Sequence, residues 1–178
     1  MRVISALLGA AFVASPVVAA PPAVRLVEPV GGFSYTAPQG WQVRAFPGQV
    51  FRSSFIVPDD ANGFAPNINV KDHLSTLPVT KYVRLVQANI ASVNSHIPGF
   101  RFLGQTPFAT QSGVHGYKVE AETPPGKTTH NLTIRQTFYI FPGRRNHILI
   151  ATASLPAQLQ GRYGAAIDAA MKTFSVKQ

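Results

Sequence analysis

The side chains able to do chemistry in this chain are few and widely spaced. Five histidines, His73, His96, His115, His130 and His147, raise the question of a metal site. None shares the His-x-His or i, i+4 spacing that aims two ligands at one ion. They read instead as boundary residues of separate elements. Two sets can be drawn as hydrolase machinery: Asp72-His73 with Ser75, and Ser112 with His115. Neighbours in sequence rarely build a triad, and the chain has neither a Gly-x-Ser-x-Gly elbow nor a Ser-x-x-Lys pair. Asp59-Asp60-Ala61-Asn62-Gly63 lacks the alternating oxygen ligands and distal glutamate of a calcium loop, and reads as a polar turn. Asn131-Leu132-Thr133 matches the glycosylation sequon but falls within an expected strand. Trp41 is expected to anchor a core rather than form a sugar platform. The sequence assigns no catalytic residue, no metal site and no cofactor.

One charged set remains. Lys118, Glu120 and Glu122 alternate along one strand, and Arg135 and Tyr139 fall on the same side of the next. Charge pairing on a solvated sheet face accounts for them. The sharper reading makes Lys118, Glu120, Arg135 and Tyr139 candidate ligand-binding residues. They would line a shallow polar groove beneath a helix or beneath the stretch from Pro58 to Pro66, with Arg135 as an anion contact.

These residues need a frame to position them. Phe33-Ser34-Tyr35-Thr36 predicts a strand, Pro38-Gln39-Gly40 a turn, and 41–44 a second strand returning beside the first as a hairpin. Alternation through 51–57 predicts a third strand, and 67–71 a fourth. From Val79 to Ser95 the period becomes helical, with Tyr82, Leu85, Val86, Ile90 and Val93 on one face. Thr80 or Ser75 is the expected cap, and Pro98-Gly99 the stop. Phe100 and Phe102 then begin a return to strand.

Residues 114–154 predict a three-stranded meander with turns at 124–127 and 142–145. Symmetric closure puts Tyr117, Val119, Ala121, Leu132, Ile134, Phe138, Ile140, Leu149, Ala151 and Ala153 on a core face, with His115, His130 and His147 near its strand ends. The charged set then shares the opposite, partly covered face with Asn131, Thr133, Thr137, Ile148, Ile150 and Thr152. Pro156 to Thr173 predicts a second helix through Leu159, Tyr163, Ile167 and Ala170, in which Gly161 and Gly164 would allow close approach to the sheet.

Met1 and Arg2 precede an apolar run to Val18, and Val17-Val18-Ala19-Ala20 matches a signal-peptidase site. Residues 1–19 are therefore expected to be a signal peptide. The alternative cut, after Ala20, is disfavoured by Pro21. Residues 20–32 follow as an extended leader and 33–178 as a single domain, short enough for one core. The expected fold class is α+β, an antiparallel β-sheet flanked by helices. The chain has no cysteine, which excludes disulfides, thiolate metal sites, a cysteine nucleophile and attachment by lipid on cysteine. Loss of Arg2 leaves 15 of 16 basic residues against 7 acidic ones, about +8, which favours anionic surfaces. The basic residues are scattered, and Arg144-Arg145 is the single adjacent pair. No basic helix or tail supports a nucleic-acid role.

The segment Phe33-Ser34-Tyr35-Thr36-Ala37-Pro38-Gln39-Gly40-Trp41 is similar to the opening strand, Pro-x-Gly turn and tryptophan of the PsbP-like, DcrB-related family. Arg135-Gln136-Thr137-Phe138-Tyr139, the strand 148–153, and the ending Ile167-Asp168-Ala169-Ala170-Met171-Lys172-Thr173-Phe174 continue the resemblance over nearly the whole mature chain. The resemblance implies a sandwich of antiparallel sheet and helices, and members that are typically non-enzymatic accessory or binding proteins. It carries over no site residue by residue. The chain departs from lipoprotein members in lacking the lipidated cysteine.

The expectation is an exported, soluble, non-catalytic binding or accessory protein, periplasmic or secreted, with an envelope protein partner and no stable membrane anchor. A carrier for a small anionic or amphiphilic ligand is the alternative, and a hydrolase the third reading.

Overall fold

Apolar residues at every second position, punctuated by Pro-Gly turns, drive this chain into antiparallel strands, and two amphipathic helices cover what the strands expose. A computed structural model describes residues 22–43, 53–56 and 63–177, with the side chains of 53–56, 90, 91 and 93–96 outside the description. The expectations for residues 1–21, for strand ends at 44, 51–52 and 57, and for Asp59 to Asn62 therefore lie outside the described residues.

The elements are β1 (Arg25–Glu28), β2 (Phe33–Thr36), β3 (Gln42–Val43), β4 (Ser53–Ile56), β5 (Asn67–Leu74), α1 (Val79–His96), β6 (Arg101–Ala109), β7 (His115–Thr123), β8 (Ile134–Pro142), β9 (His147–Pro156), α2 (Gln160–Lys172) and β10 (Ser175–Val176). They form a seven-stranded sheet, ordered β3-β4-β5-β9-β8-β7-β6, and a three-stranded sheet, β1-β2-β10. All strand pairs are antiparallel. The expected α+β class holds. Among the described residues no helix is long and apolar enough to cross a membrane.

Both faces of the large sheet are covered, and each has its own core. On one side Val79, Tyr82, Val83 and Val86 of α1 pack against Val119, Ala121, Phe138, Ile140, Ile148 and Ile150. Leu85, expected on that inner face, is exposed. Pro78 starts the helix by offering its carbonyl to the N–H groups of Lys81 and Tyr82, whereas Ser75 Oγ takes the Leu77 N–H and Thr80 already lies in the first turn. Gly99, at φ +84°, supplies the left-handed turn that ends it.

On the other side α2 and β2 enclose the larger core. Phe174 is fully buried, stacked on Phe141 at 4.6 Å and on Phe33 at 5.3 Å, with Tyr35 at 5.8 Å. Trp41 is buried edge-on to Tyr163 of α2, as a core anchor. Burying each such aromatic side chain contributes about 2–3 kcal/mol.

Three expectations are corrected. The β2–β3 hairpin does not form: the turn is present, with Trp41 N–H bonded to Pro38, but β2 pairs with β1 and β10 while β3 pairs with β4 in the other sheet. Structure accordingly begins at Arg25, inside the supposed leader. Second, β9 is displaced by three positions from symmetric closure, so that Tyr139 faces Ala151 rather than Ile148. An odd displacement exchanges the faces. Leu149, Ala151 and Ala153 lie with Tyr139 under α2, and Ile148, Ile150 and Thr152 lie towards α1. The cause is a five-residue turn at 143–147, closed by the Gly143 N–H to the His147 carbonyl with Arg145 at φ +50°. Third, the α2 glycines do not serve close approach to the sheet. A Cβ on Gly161 would meet open space, and one on Gly164 would meet the Gln160 amide of the helix's own first turn.

Candidate functional site

Period-two alternation in β7 and β8 aims Lys118, Glu120, Glu122, Arg135 and Tyr139 at one face, and the register sets Lys118 opposite Tyr139 and Glu122 opposite Arg135. The candidate residues therefore do meet. The surface they share is not an open groove, because α2 lies over part of it and contributes Asp168. Lys118 Nζ stands 2.9 Å from Asp168 Oδ1, and the Tyr139 hydroxyl donates to the same oxygen. Arg135 Nη1 donates to Glu122 at 3.1 Å and Nη2 to Glu120 at 3.0 Å. Arg101 of β6 completes the seam, 2.9 Å from the second Glu122 oxygen. Three cations thus face three carboxylates.

In this arrangement Arg135 serves neighbouring carboxylates. Its two terminal nitrogens are occupied by carboxylates, and the seam has no surplus positive charge to offer a ligand. Tyr139 is almost wholly buried, and burial, followed by the hydrogen bond to Asp168 and the charges of Asp168 and Glu120, pushes its hydroxyl well above the ordinary tyrosine range. It stays a donor under any ordinary condition. Lys118 and Tyr139 fasten α2 to the sheet through Asp168, while the remaining pairs link β6, β7 and β8 to one another.

Neither drawn triad assembles. Asp72 and His73 are successive residues of β5 and so point to opposite faces: Asp72 towards His147, at 3.6 Å, and His73 towards the Tyr82 ring. Ser75 Oγ is bonded to the Leu77 N–H, and Ser112 Oγ donates to the Phe174 carbonyl at 2.9 Å. Nor do His115, His130 and His147 share a sheet face. His130 sits in the β7–β8 turn at φ +52° beside Phe64, and His147 follows the shifted β9 register. Among the described residues no three His, Cys, Asp or Glu side chains are grouped to hold a metal ion. Asn131, expected in a strand, is exposed in that same turn at φ +59°.

A different place carries unspent charge. The β1–β2 turn, the β8–β9 turn and the residues after β10 enclose a cleft of about 770 Å³, lined by Arg144, Arg145, Lys177, His147 and Asp72 together with backbone at Gly31 and Gly143. The adjacency of Arg144 and Arg145 was its one signal in the sequence; the contribution of Lys177 and the β1–β2 turn had none. Asp168 also escaped notice, since the helical pattern places it beside Ile167 as an ordinary outward polar residue.

This sandwich, with a helix on each face of the sheet, is the PsbP-like fold. The chain is similar to the cyanobacterial PsbP protein CyanoP of Synechocystis sp. PCC 6803, with TM-score 0.63 and 14% identity over 92% of this chain and 97% of that one. It is similar to LpqN of Mycobacterium tuberculosis, a protein involved in cell envelope biogenesis (0.61, 12%, over 82% and 83%), and to the Ran-binding protein Mog1p of Saccharomyces cerevisiae (0.55, 11%, over 88% and 96%). No protein-family model matches the chain, and no curated protein matches it in sequence.

Proposed function

We propose that this chain is an exported, non-catalytic binding or accessory protein of the cell envelope. The observation that carries this reading is the disposition of its carboxylates. All five in the described residues are engaged within the fold: Glu28 with the Val30 and Gly31 N–H groups, Asp72 with His147, Glu120 and Glu122 with Arg135, and Asp168 with Lys118 and Tyr139. Among the described residues no acid is left to orient a base or donate a proton in the clefts, while exposed cations remain to contact an anionic partner. The basic balance of the whole chain, with 16 Lys and Arg against 7 Asp and Glu, points the same way. Export is supported by the signal-like first 19 residues, and an envelope role by the likeness to LpqN, itself involved in envelope biogenesis.

Native mass spectrometry of the protein recovered from its own host's envelope fraction tests this reading. The expected result is a mass beginning at Ala20, accompanied by a bound protein or small molecule. An intact Met1 in the cytoplasmic fraction, or turnover of hydrolase substrates at enzymatic rates, would contradict it.

A further inference from the structure

Two turns and the residues after β10, far apart in sequence, converge on the basic cleft, and two details of its wall mark it as a built site. The first is Arg144. Gly32 has φ +67°, and a Cβ there would stand 2.2 Å from Arg144 Nε. Glycine alone lets the arginine lie across the β1–β2 turn. Its Nε donates to the Lys177 carbonyl at 3.0 Å, and its terminal nitrogens have no further partner among the described residues. The guanidinium is thus held by its stem side, leaving its fork available to an oxyanion.

The second detail is Arg145. It occupies the left-handed region at φ +50°, which a non-glycine residue rarely adopts without compensation. It is exposed and has no ion pair or hydrogen bond among the described residues. Backbone strain is therefore spent on placing an unpaired cation at the cleft. Lys177 brings a third positive charge from the far end of the chain. The opposing charge is limited: Asp72 is beside His147, and the Glu28 carboxylate is folded onto the Val30 and Gly31 N–H groups at 2.9 and 3.4 Å.

We propose that this cleft binds a phosphate dianion, as the inorganic ion or as the headgroup of a phosphate ester. The inference rests on the binding-protein reading and names the ligand chemistry. A tetrahedral dianion presents separate oxygens to the Arg144 fork and to Arg145, both from the β8–β9 turn, and to Lys177 from the residue after β10, whereas a planar monoanionic carboxylate would leave at least one cation unmatched. A volume of about 770 Å³ accommodates a phosphate together with a small organic remainder.

Calorimetric titration of the full chain with inorganic phosphate, with glycerol phosphate, and with phosphatidic acid vesicles set against phosphatidylcholine vesicles tests the proposal and separates its sources. Saturable binding of either soluble probe supports a free phosphate ligand; binding of phosphatidic acid vesicles alone supports a lipid headgroup. Arg144→Gln and Arg145→Gln should each weaken binding by about tenfold or more. Arg145→Gly should weaken it equally while raising the thermal midpoint, because glycine relieves the strain as it removes the charge. Lys81→Gln, an exposed residue of α1, should leave affinity unchanged. No saturable binding to any probe at about 10 mM phosphate, or an equal loss in Lys81→Gln, would overturn the proposal. If an envelope protein copurifies while phosphate fails to bind, the ligand inference falls and the binding reading stands.

Discussion

The seam beneath α2 and the cleft at the β8–β9 turn each gather three cations, and they differ in what faces those cations. In the seam Arg101, Lys118 and Arg135 meet Glu120, Glu122 and Asp168, so its charge closes on itself. In the cleft Arg144, Arg145 and Lys177 meet Asp72 and backbone carbonyl, so its charge opens outward. Clustering of charged residues is therefore a poor guide to a binding site until the partners of each group are counted. A closed set resists the loss of any one partner, and an open one is available to a ligand.

Substitutions can break this contrast, beginning where both regions should fail together. Phe174→Ala removes the ring stacked between Phe141 and Phe33 and should cost about 3–5 kcal/mol in urea unfolding. Because Lys177 lies three residues beyond it, phosphate binding should be lost as well. Arg135→Ala should then separate the two regions. Leaving Glu120 and Glu122 side by side without the cation they share, with Lys118 and Arg101 as their remaining partners, should cost about 2 kcal/mol in this part-buried setting, with phosphate affinity unchanged. A marginal loss of stability accompanied by weakened phosphate binding would reverse the two assignments.

Tyr139→Phe sharpens the seam. At neutral pH the lost hydrogen bond to Asp168 should cost about 1 kcal/mol. The hydroxyl is held protonated in the fold, above its ordinary value of 10.0, and is free to ionise in the unfolded chain. Above pH 10 the unfolded state therefore binds fewer protons than the folded one. The stability from this group, fully present below that pH, should fall by about 1.4 kcal/mol per unit. The phenylalanine variant should lose that share of the alkaline slope, as followed by pH-dependent denaturant melts. The smallest effect belongs to Arg145→Gly, a gain of about 0.5 kcal/mol from relieved backbone strain.

The contrast also explains how much the sequence disclosed. The meander was legible because alternation and Pro-Gly turns are local signals, and the meeting of Lys118, Glu120, Arg135 and Tyr139 followed from them. The β9 register was not, because a left-handed Arg145 lengthens its turn by an amount no residue preference announces. The β2 partners were hidden because β10 lies some 140 residues away, as in the contact of Ser34 with Ser175. The role of Asp168 depends on α2 crossing the charged face, a tertiary fact. The cleft needs two turns and the residues after β10 at once, and only Arg144-Arg145 hinted at it.

The central claim is that ligand recognition belongs to the cleft and not to the seam. The most direct measurement is a two-dimensional amide NMR titration of the full chain with inorganic phosphate. The account predicts saturable shifts at Gly31, at 143–147, and at Val176 and Lys177, with Lys118, Glu120, Arg135, Tyr139 and Asp168 unmoved. Shifts concentrated on those five seam residues would contradict it.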